Sequence, residues 1–257
     1  SLSMEAFGGR HETPHGYSFM YKGMDWLHKS IYREGYNMNQ NIDAFAEAYD
    51  YDSNGNITGL IRKNKGIVID NLKYNYYTGT NKISGIKDMS RKADGYPITN
   101  ENYLYDHCGN TTYDPSKMAY VSYNRQNKPT LVSFSDDDFI TYSYTSTGTK
   151  LRRKVTSMSS PTDATTDYLY NFMYEDGKLI CIFAPFGRVL MNTKQRSKWQ
   201  YHYTISDHLG NTRIEFVPHN GGQPEVVQSA SYYPYGYSLR CDDYGSRTPN
   251  RHLFCGK

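Results

Sequence analysis

An all-β fold, an array of stacked antiparallel β-hairpins forming a curved or spiralling sheet, is what this sequence predicts. Three observations predict it. The pattern Tyr-x-Tyr-Asp-x-x-Gly-Asn occurs twice without mismatch, as Tyr49-Asp50-Tyr51-Asp52-Ser53-Asn54-Gly55-Asn56 and as Tyr103-Leu104-Tyr105-Asp106-His107-Cys108-Gly109-Asn110. A chain that repeats itself is an array of one small structural unit. Tyrosine is the second signal, at 27 of 257 residues. Third, Leu, Ile, Val and Phe together make up roughly 18 per cent, under the rough 20 per cent mark associated with disorder. A net charge of +3 is close to neutral and speaks against disorder. The missing apolar mass sits in tyrosine, whose ring is buried while its hydroxyl seeks a partner.

Each unit reads as strand, turn, strand. Tyr49 and Tyr51 are two apart, so a strand projects both rings from one face. Asp52 opens a turn and Gly55 closes it, the type I pattern in which a carboxylate bonds backbone N–H groups ahead and glycine accepts positive φ. The outgoing strand is Ile57-Thr58-Gly59-Leu60-Ile61. The second tyrosine or its substitute returns at Tyr76, Tyr105, Tyr123 and Tyr144, then more faintly at Phe172, Tyr203 and Tyr233. The spacing is loose, as expected when only the aromatic column and the turn are constrained. An N-terminal copy, Tyr17-Ser18-Phe19-Met20-Tyr21, carries Lys22 where Asp would stand. Stacked hairpins place tyrosines in ladders across the sheet and gain stability from their neighbours. In Ile42 to Tyr49 the apolar residues fit a helix at Ile42, Phe45 and Tyr49. A strand is favoured there, because the segment runs straight into the repeat.

No stretch approaches the run of 18 or more apolar residues of a membrane span. The chain opens Ser1-Leu2-Ser3 with neither an initiator Met nor a signal peptide and reads as a segment of a longer polypeptide, so that absence says nothing of the parent's destination. Cys108, Cys181, Cys241 and Cys255 are widely spaced without a CxxC, which suits neither a zinc site nor a small disulfide scaffold. A Cys241–Cys255 bridge stays open beside four free thiols.

These repeats resemble the YD repeats of bacterial RHS proteins, from about Tyr17 to Lys257. The C-terminal stretch is similar to the opening of the RHS repeat-associated core domain. It runs Asp207-His208-Leu209-Gly210-Asn211-Thr212-Arg213, then Tyr232-Tyr233-Pro234-Tyr235-Gly236, then Asn250-Arg251-His252-Leu253-Phe254-Cys255-Gly256-Lys257. The resemblance implies a division into an irregular leading segment (1–16), a YD-repeat hairpin array (17–200) and the truncated start of the core (201–257). It also implies part of a hollow β-shell that encloses a C-terminal toxin, in a bacterial protein that is secreted or on the cell surface. The sequence ends at Lys257, short of the later core segment where the family's self-cleavage site lies, so no proteolytic residue carries over. The partners implied are the rest of the parent polypeptide or its toxin cargo, with a second copy pairing through sheet edges as a further expectation.

Several motifs look like chemistry. His11-Glu12-Thr13-Pro14-His15 matches H-E-x-x-H, but that zinc site needs a regular helix, which Pro14 interrupts. It reads as a polar loop. Asp136-Asp137-Asp138 lacks the alternate-position ligands of a calcium loop and reads as a solvated hairpin tip between Phe134 and Phe139. The clusters Lys150-Leu151-Arg152-Arg153-Lys154 and Lys194 to Trp199 are basic. Near neutrality of the whole chain argues against nucleic acid, and edge protection explains such strands. Asn56-Ile57-Thr58 and Asn110-Thr111-Thr112 fit the glycosylation pattern, yet each Asn is a turn residue of the repeat. The tyrosine faces offer a surface for a cell-surface glycan, although packing uses the same rings. No Ser, His and Asp set assembles. The sequence reading therefore assigns no catalytic, cofactor-binding or metal residue. It expects a non-enzymatic scaffold, with an adhesin or carbohydrate-binding module as the alternative.

Overall fold

The computed structural model describes residues 2–5, 13–97, 99–158, 163–191, 199–218, 222–244, 250–251 and 253–254. The first sheet has seven strands: β1 (Leu2–Glu5), β2 (His15–Lys22), β3 (Trp26–Glu34), β4 (Glu47–Tyr51), β5 (Ile57–Asn64), β6 (Ile67–Tyr76) and β7 (Ile83–Asp88). The second has fourteen. It begins with β8 (Leu104–Tyr105), β9 (Thr111–Asp114), β10 (Ala119–Tyr123), β11 (Pro129–Ser133), β12 (Phe139–Tyr144), β13 (Lys150–Thr156) and β14 (Ala164–Leu169). It continues with β15 (Phe172–Glu175), β16 (Lys178–Ala184), β17 (Gly187–Met191), β18 (Trp199–Ser206), β19 (Thr212–Pro218), β20 (Pro224–Tyr232) and β21 (Ser238–Asp243). In both sheets each strand lies beside its neighbours in sequence, as a row of hairpins requires. Among the described residues the sole helical turn is a short 3-10 segment, Gly23–Asp25.

The chain divides into two compact units. The first comprises Ser1–Leu104, Pro115–Lys117 and Tyr232–Leu239; the second comprises Tyr105–Asp114, Met118–Ser231 and Arg240–Lys257. The core of the first unit is a row of side chains on one sheet face: Leu27, Tyr49, Leu60, Leu72 and Ile86. Tyr49 opposes Leu60, and Leu60 opposes Leu72, so period-2 alternation carries one apolar residue per strand onto the same face.

The predicted turn is present and repeats in detail. Gly55 and Gly109 hold φ of 83° and 88°, the left-handed region that glycine enters without a Cβ clash. The Gly55 N–H donates to the Asp52 carbonyl at 3.2 Å, and the Asp52 N–H to the Asn56 carbonyl at 3.0 Å. The Asp52 carboxylate accepts from the backbone N–H groups of Asn54 and Asn56, both at 2.9 Å, and from the Asn56 side chain at 2.8 Å. Asp106 with Asn110 and Asp207 with Asn211 repeat the arrangement. Asn124 fills the same role through its amide oxygen and Thr145 through its hydroxyl, both uncharged. The asparagine after the glycine also reaches the next hairpin: Asn56 Nδ2 donates to Asn81 at 2.9 Å, and Asn110 Nδ2 to Asn127 at 2.9 Å.

The last tyrosine before each turn lies at a register shift, as at Asn75/Tyr76, Ser122/Tyr123 and Ser143/Tyr144. Its hydroxyl then reaches back to the first residue of the preceding outgoing strand. Tyr76 donates to the Ile57 carbonyl at 2.7 Å, Tyr123 to Thr111 at 2.8 Å and Tyr144 to Pro129 at 2.8 Å. Each acceptor lies past the last rung that joins its strand to the following one, so the hydroxyl extends the join between those strands. Hairpins are therefore stitched hydroxyl to carbonyl, which explains tyrosine in place of phenylalanine.

One expectation needs correcting. The segment Ile42 to Tyr49 is not a continuous strand: Ile42 to Phe45 form turns, and β4 begins only at Glu47. Asn41 and Asp43 both adopt positive φ, 46° and 63°, which breaks extended backbone. Phe45 instead packs edge-on against Tyr32 at 4.8 Å between ring centroids.

Candidate functional site

Two buried ionic triads that the sequence did not single out stand out among the described residues, together with an exposed aromatic face. In the first unit Glu47, Arg62 and Asp70 oppose one another across β4, β5 and β6. Arg62 Nε donates to Glu47 Oε1 at 2.6 Å, and Arg62 Nη1 to Asp70 Oδ2 at 2.6 Å. Tyr49 donates its hydroxyl to Glu47, and the Tyr96 N–H donates to Asp70 Oδ1 at 2.6 Å. That approach requires Gly95, because a Cβ there would lie 2.1 Å from Asp70 Oδ1 and 2.8 Å from the Ile69 carbonyl oxygen. Burial pushes the Glu47 carboxyl above its ordinary range despite the attraction of Arg62. Burial, then the Glu47 charge, drives the Tyr49 phenol far up, so it stays a donor. One guanidinium thus serves two buried carboxylates.

The segment Tyr232–Leu239 completes this face of the first unit. Tyr233 to Tyr237 form the same backbone turn as the repeats: the Gly236 N–H donates to the Tyr233 carbonyl at 2.8 Å, and the Tyr233 N–H to the Tyr237 carbonyl at 2.9 Å. A tyrosine stands where the repeats have Asp, and all three tyrosines turn toward the sheet. The Arg62 guanidinium carbon lies 4.0 Å from the Tyr237 ring centroid and 5.3 Å from that of Tyr233. Tyr233 donates to the Lys63 carbonyl at 2.6 Å. Tyr235 meets Tyr49 edge-on at 5.0 Å and shares a 3.1 Å hydrogen bond with the Tyr51 hydroxyl.

In the second unit the buried side chains of β17, β18 and β19 combine charge with apolar residues: Leu190 and Val217 are buried, Arg188 opposes His202, and Arg188 Nη2 donates to Glu215 Oε1 at 2.7 Å. His202 Nδ1 lies 2.6 Å from the same oxygen. Burial works against the Glu215 charge, but the hydrogen bonds from His202 and Arg188 outweigh it and hold the carboxyl below its ordinary range. Cys181 is buried, and burial pushes its thiol up to about 11. It is therefore protonated and poorly nucleophilic at neutral pH.

The opposite face carries Trp199, Tyr201, Tyr203 and Ile205, alternating along β18. Tyr201 is 52% exposed, Ile205 44%, Phe186 40% and Trp199 39%. Phe186 lies 6.1 Å from Tyr201 and 5.3 Å from Tyr203, and Tyr203 stacks on Phe216 at 5.5 Å. A buried ionic group thus lies behind a contiguous, partly exposed aromatic face.

Several residues of the remaining motifs have structural partners. His15 opens β2 and stacks on Tyr32 at 5.9 Å, while His11 and Glu12 lie outside the described residues. Asp136 and Asp137 are exposed at a tip, and Asp138 accepts from Ser157 at 2.5 Å. In β13, Arg152 pairs with Asp167 and Lys154 with Asp163. Lys194 to Lys198, Cys255 and the side chain of Cys241 lie outside the described residues. Among the described residues no His, Cys, Asp and Glu group is placed to hold a metal ion, and no helix is long and apolar enough to cross a membrane.

No family model matches the chain, and no curated protein sequence does. Solved structures share its fold. A crystal structure of TcdB2–TccC3–TEV superposes with a TM-score of 0.51 at 14% identity, over 96% of this chain and 16% of that one. A crystal structure of TcdB2–TccC3 gives 0.50 at 15% identity, over 100% and 17%. The chain thus spans about a sixth of those longer chains. The likeness is one of fold: an RHS-like, all-β row of antiparallel hairpins.

Proposed function

We propose that this chain is a non-enzymatic wall segment of a bacterial RHS/YD-repeat protein that is secreted or displayed on the cell surface, where it contains another part of the parent polypeptide or a toxin cargo. The observation that carries the reading is the exposed aromatic face of β18 in the second unit. The ionic side chains behind it satisfy each other in the interior, while Phe186, Trp199 and Tyr201 remain exposed. Such a face suits an apolar, incompletely folded polypeptide held against it. The stitching supports the same reading, since tyrosine hydroxyls and turn carboxylates are occupied in joining hairpins.

The test uses the full parent polypeptide with Phe186, Trp199 and Tyr201 each changed to Ser. Containment predicts that segments downstream of this chain become protease-sensitive while the hairpins stay intact. Unchanged protection of those segments would refute it. A second reading, an adhesin or glycan-binding module, draws on the same exposed rings. It predicts binding on a glycan array that the Trp199→Ser and Tyr201→Ser changes abolish.

A further inference from the structure

The contacts of Arg62 fall into two sets that do not depend on each other. The first is a frame. Glu47, Arg62 and Asp70 sit on three adjacent strands whose backbones are already joined by ladder hydrogen bonds. Both carboxylates and the guanidinium edge find their partners there, together with Tyr49 and Tyr96. The second set is the segment Tyr232–Leu239. Its turn satisfies its own backbone through the Tyr233 and Gly236 N–H groups. Side chains fix it to the sheet: two rings over the guanidinium face, the Tyr233 hydroxyl on the Lys63 carbonyl, and Tyr235 against Tyr49 and Tyr51. Tyr235 and Tyr237 are themselves partly exposed.

We propose that Tyr233 to Tyr237 form a strap that opens and closes over the Arg62 face as a local unit, leaving β4, β5 and β6 intact. Opening leaves no carboxylate unpaired, because the ionic frame lies wholly beneath the strap. Nor does it break a backbone ladder. What is lost is ring–cation attraction, two neutral hydrogen bonds (Tyr233 to the Lys63 carbonyl and Tyr235 with Tyr51), the burial of the Tyr233 ring and the packing of Tyr235. Segments with few such ties are the ones that open below the global unfolding free energy. Opening uncovers the flat side of Arg62 and the ring of Tyr49, so the strap acts as a gate on the buried Arg62 cation of this face. The inference does not rest on the containment reading.

The test is limited chymotrypsin digestion of the folded full chain, with cleavage sites read by mass spectrometry. Exposed turn sites such as Tyr36 and Tyr170 are cut independently of the strap, and a cut after Tyr235 is expected before any within β4 to β6. Tyr237→Leu removes the ring from the guanidinium and is expected to speed that cut on the order of fivefold. Tyr237→Phe keeps the ring and should cut within about twofold of the parent rate. Tyr233→Phe removes the hydroxyl donor to Lys63 and should also speed cutting. The proposal is overturned if β4 to β6 are cut before the strap, or if the Leu and Phe variants at position 237 are cut at the same rate.

Discussion

The hydroxyl of Tyr123 donates to the carbonyl of Thr111 at 2.8 Å, just past the last rung that joins β9 to β10, Tyr120 opposite Tyr113. This bond turns a loose hairpin pair into a joined one. Tyr123→Phe and Tyr144→Phe should each cost about 1 kcal/mol in urea denaturation, because each removes one partly buried hydrogen bond. Tyr120→Phe, whose ring is mostly exposed, should stay within about 0.5 kcal/mol of the parent. Equal costs at all three positions would remove the stitching role.

Arg62 holds two buried carboxylates, so its removal should be severe. Arg62→Met strands Glu47 and Asp70 together and is expected to cost about 3–5 kcal/mol. Changing the whole group at once, as Glu47→Gln, Arg62→Met and Asp70→Asn, should recover most of that loss. A triple variant no more stable than Arg62→Met alone would contradict the ionic account.

Stability should respond to pH in two opposite ways. Asn56 and the backbone N–H groups of the turn hold the Asp52 carboxyl below its ordinary 3.8. Burial opposes the same effect at Asp207, but Asn211 and the turn N–H groups prevail. Their contribution is complete above the ordinary aspartate value and is lost as pH falls through the lower folded values. Glu47 is shifted upward by burial, so its contribution is complete below its ordinary 4.5 and is lost as pH rises through the folded value. Thermal melts across pH should therefore show a shallower acid-side slope in Asp207→Asn, with Asp52 still contributing, and the slope above 4.5 should flatten in Glu47→Gln.

Gly95→Ala should act at a distance from any repeat turn. The new Cβ would collide with Asp70 Oδ1 and with the Ile69 backbone, and the backbone cannot swing aside. A loss of about 1–3 kcal/mol is expected by denaturation.

The hairpins were legible because their determinants are local. Asp52 and Gly55, or Asp106 and Gly109, are close enough in sequence to show their turn on the page, and tyrosines two apart reveal a strand face. The break at Ile42 to Phe45 was missed because apolar spacing outweighed Asn41 and Asp43, the residue types that tolerate left-handed backbone. Arg62 was invisible for a different reason. An arginine set between Ile61 and Lys63 looks like a solvated strand residue until Glu47 and Asp70 are placed opposite it. The strap was harder still, since Tyr233 meets Lys63 across 170 positions of chain. A signal was nevertheless present: Tyr233-Pro234-Tyr235-Gly236-Tyr237 keeps the repeat's glycine but puts an aromatic ring where its carboxylate belongs.

Because every strand pairs only with the strands made just before and just after it, duplicating or deleting one hairpin leaves all other partnerships intact. The stitches described above reach back a single hairpin, so a newly inserted copy would bring its own fastening. A lineage carrying this design is free to lengthen or shorten the row by whole units, whereas a graft that splits a tyrosine from the carbonyl behind it should be purged.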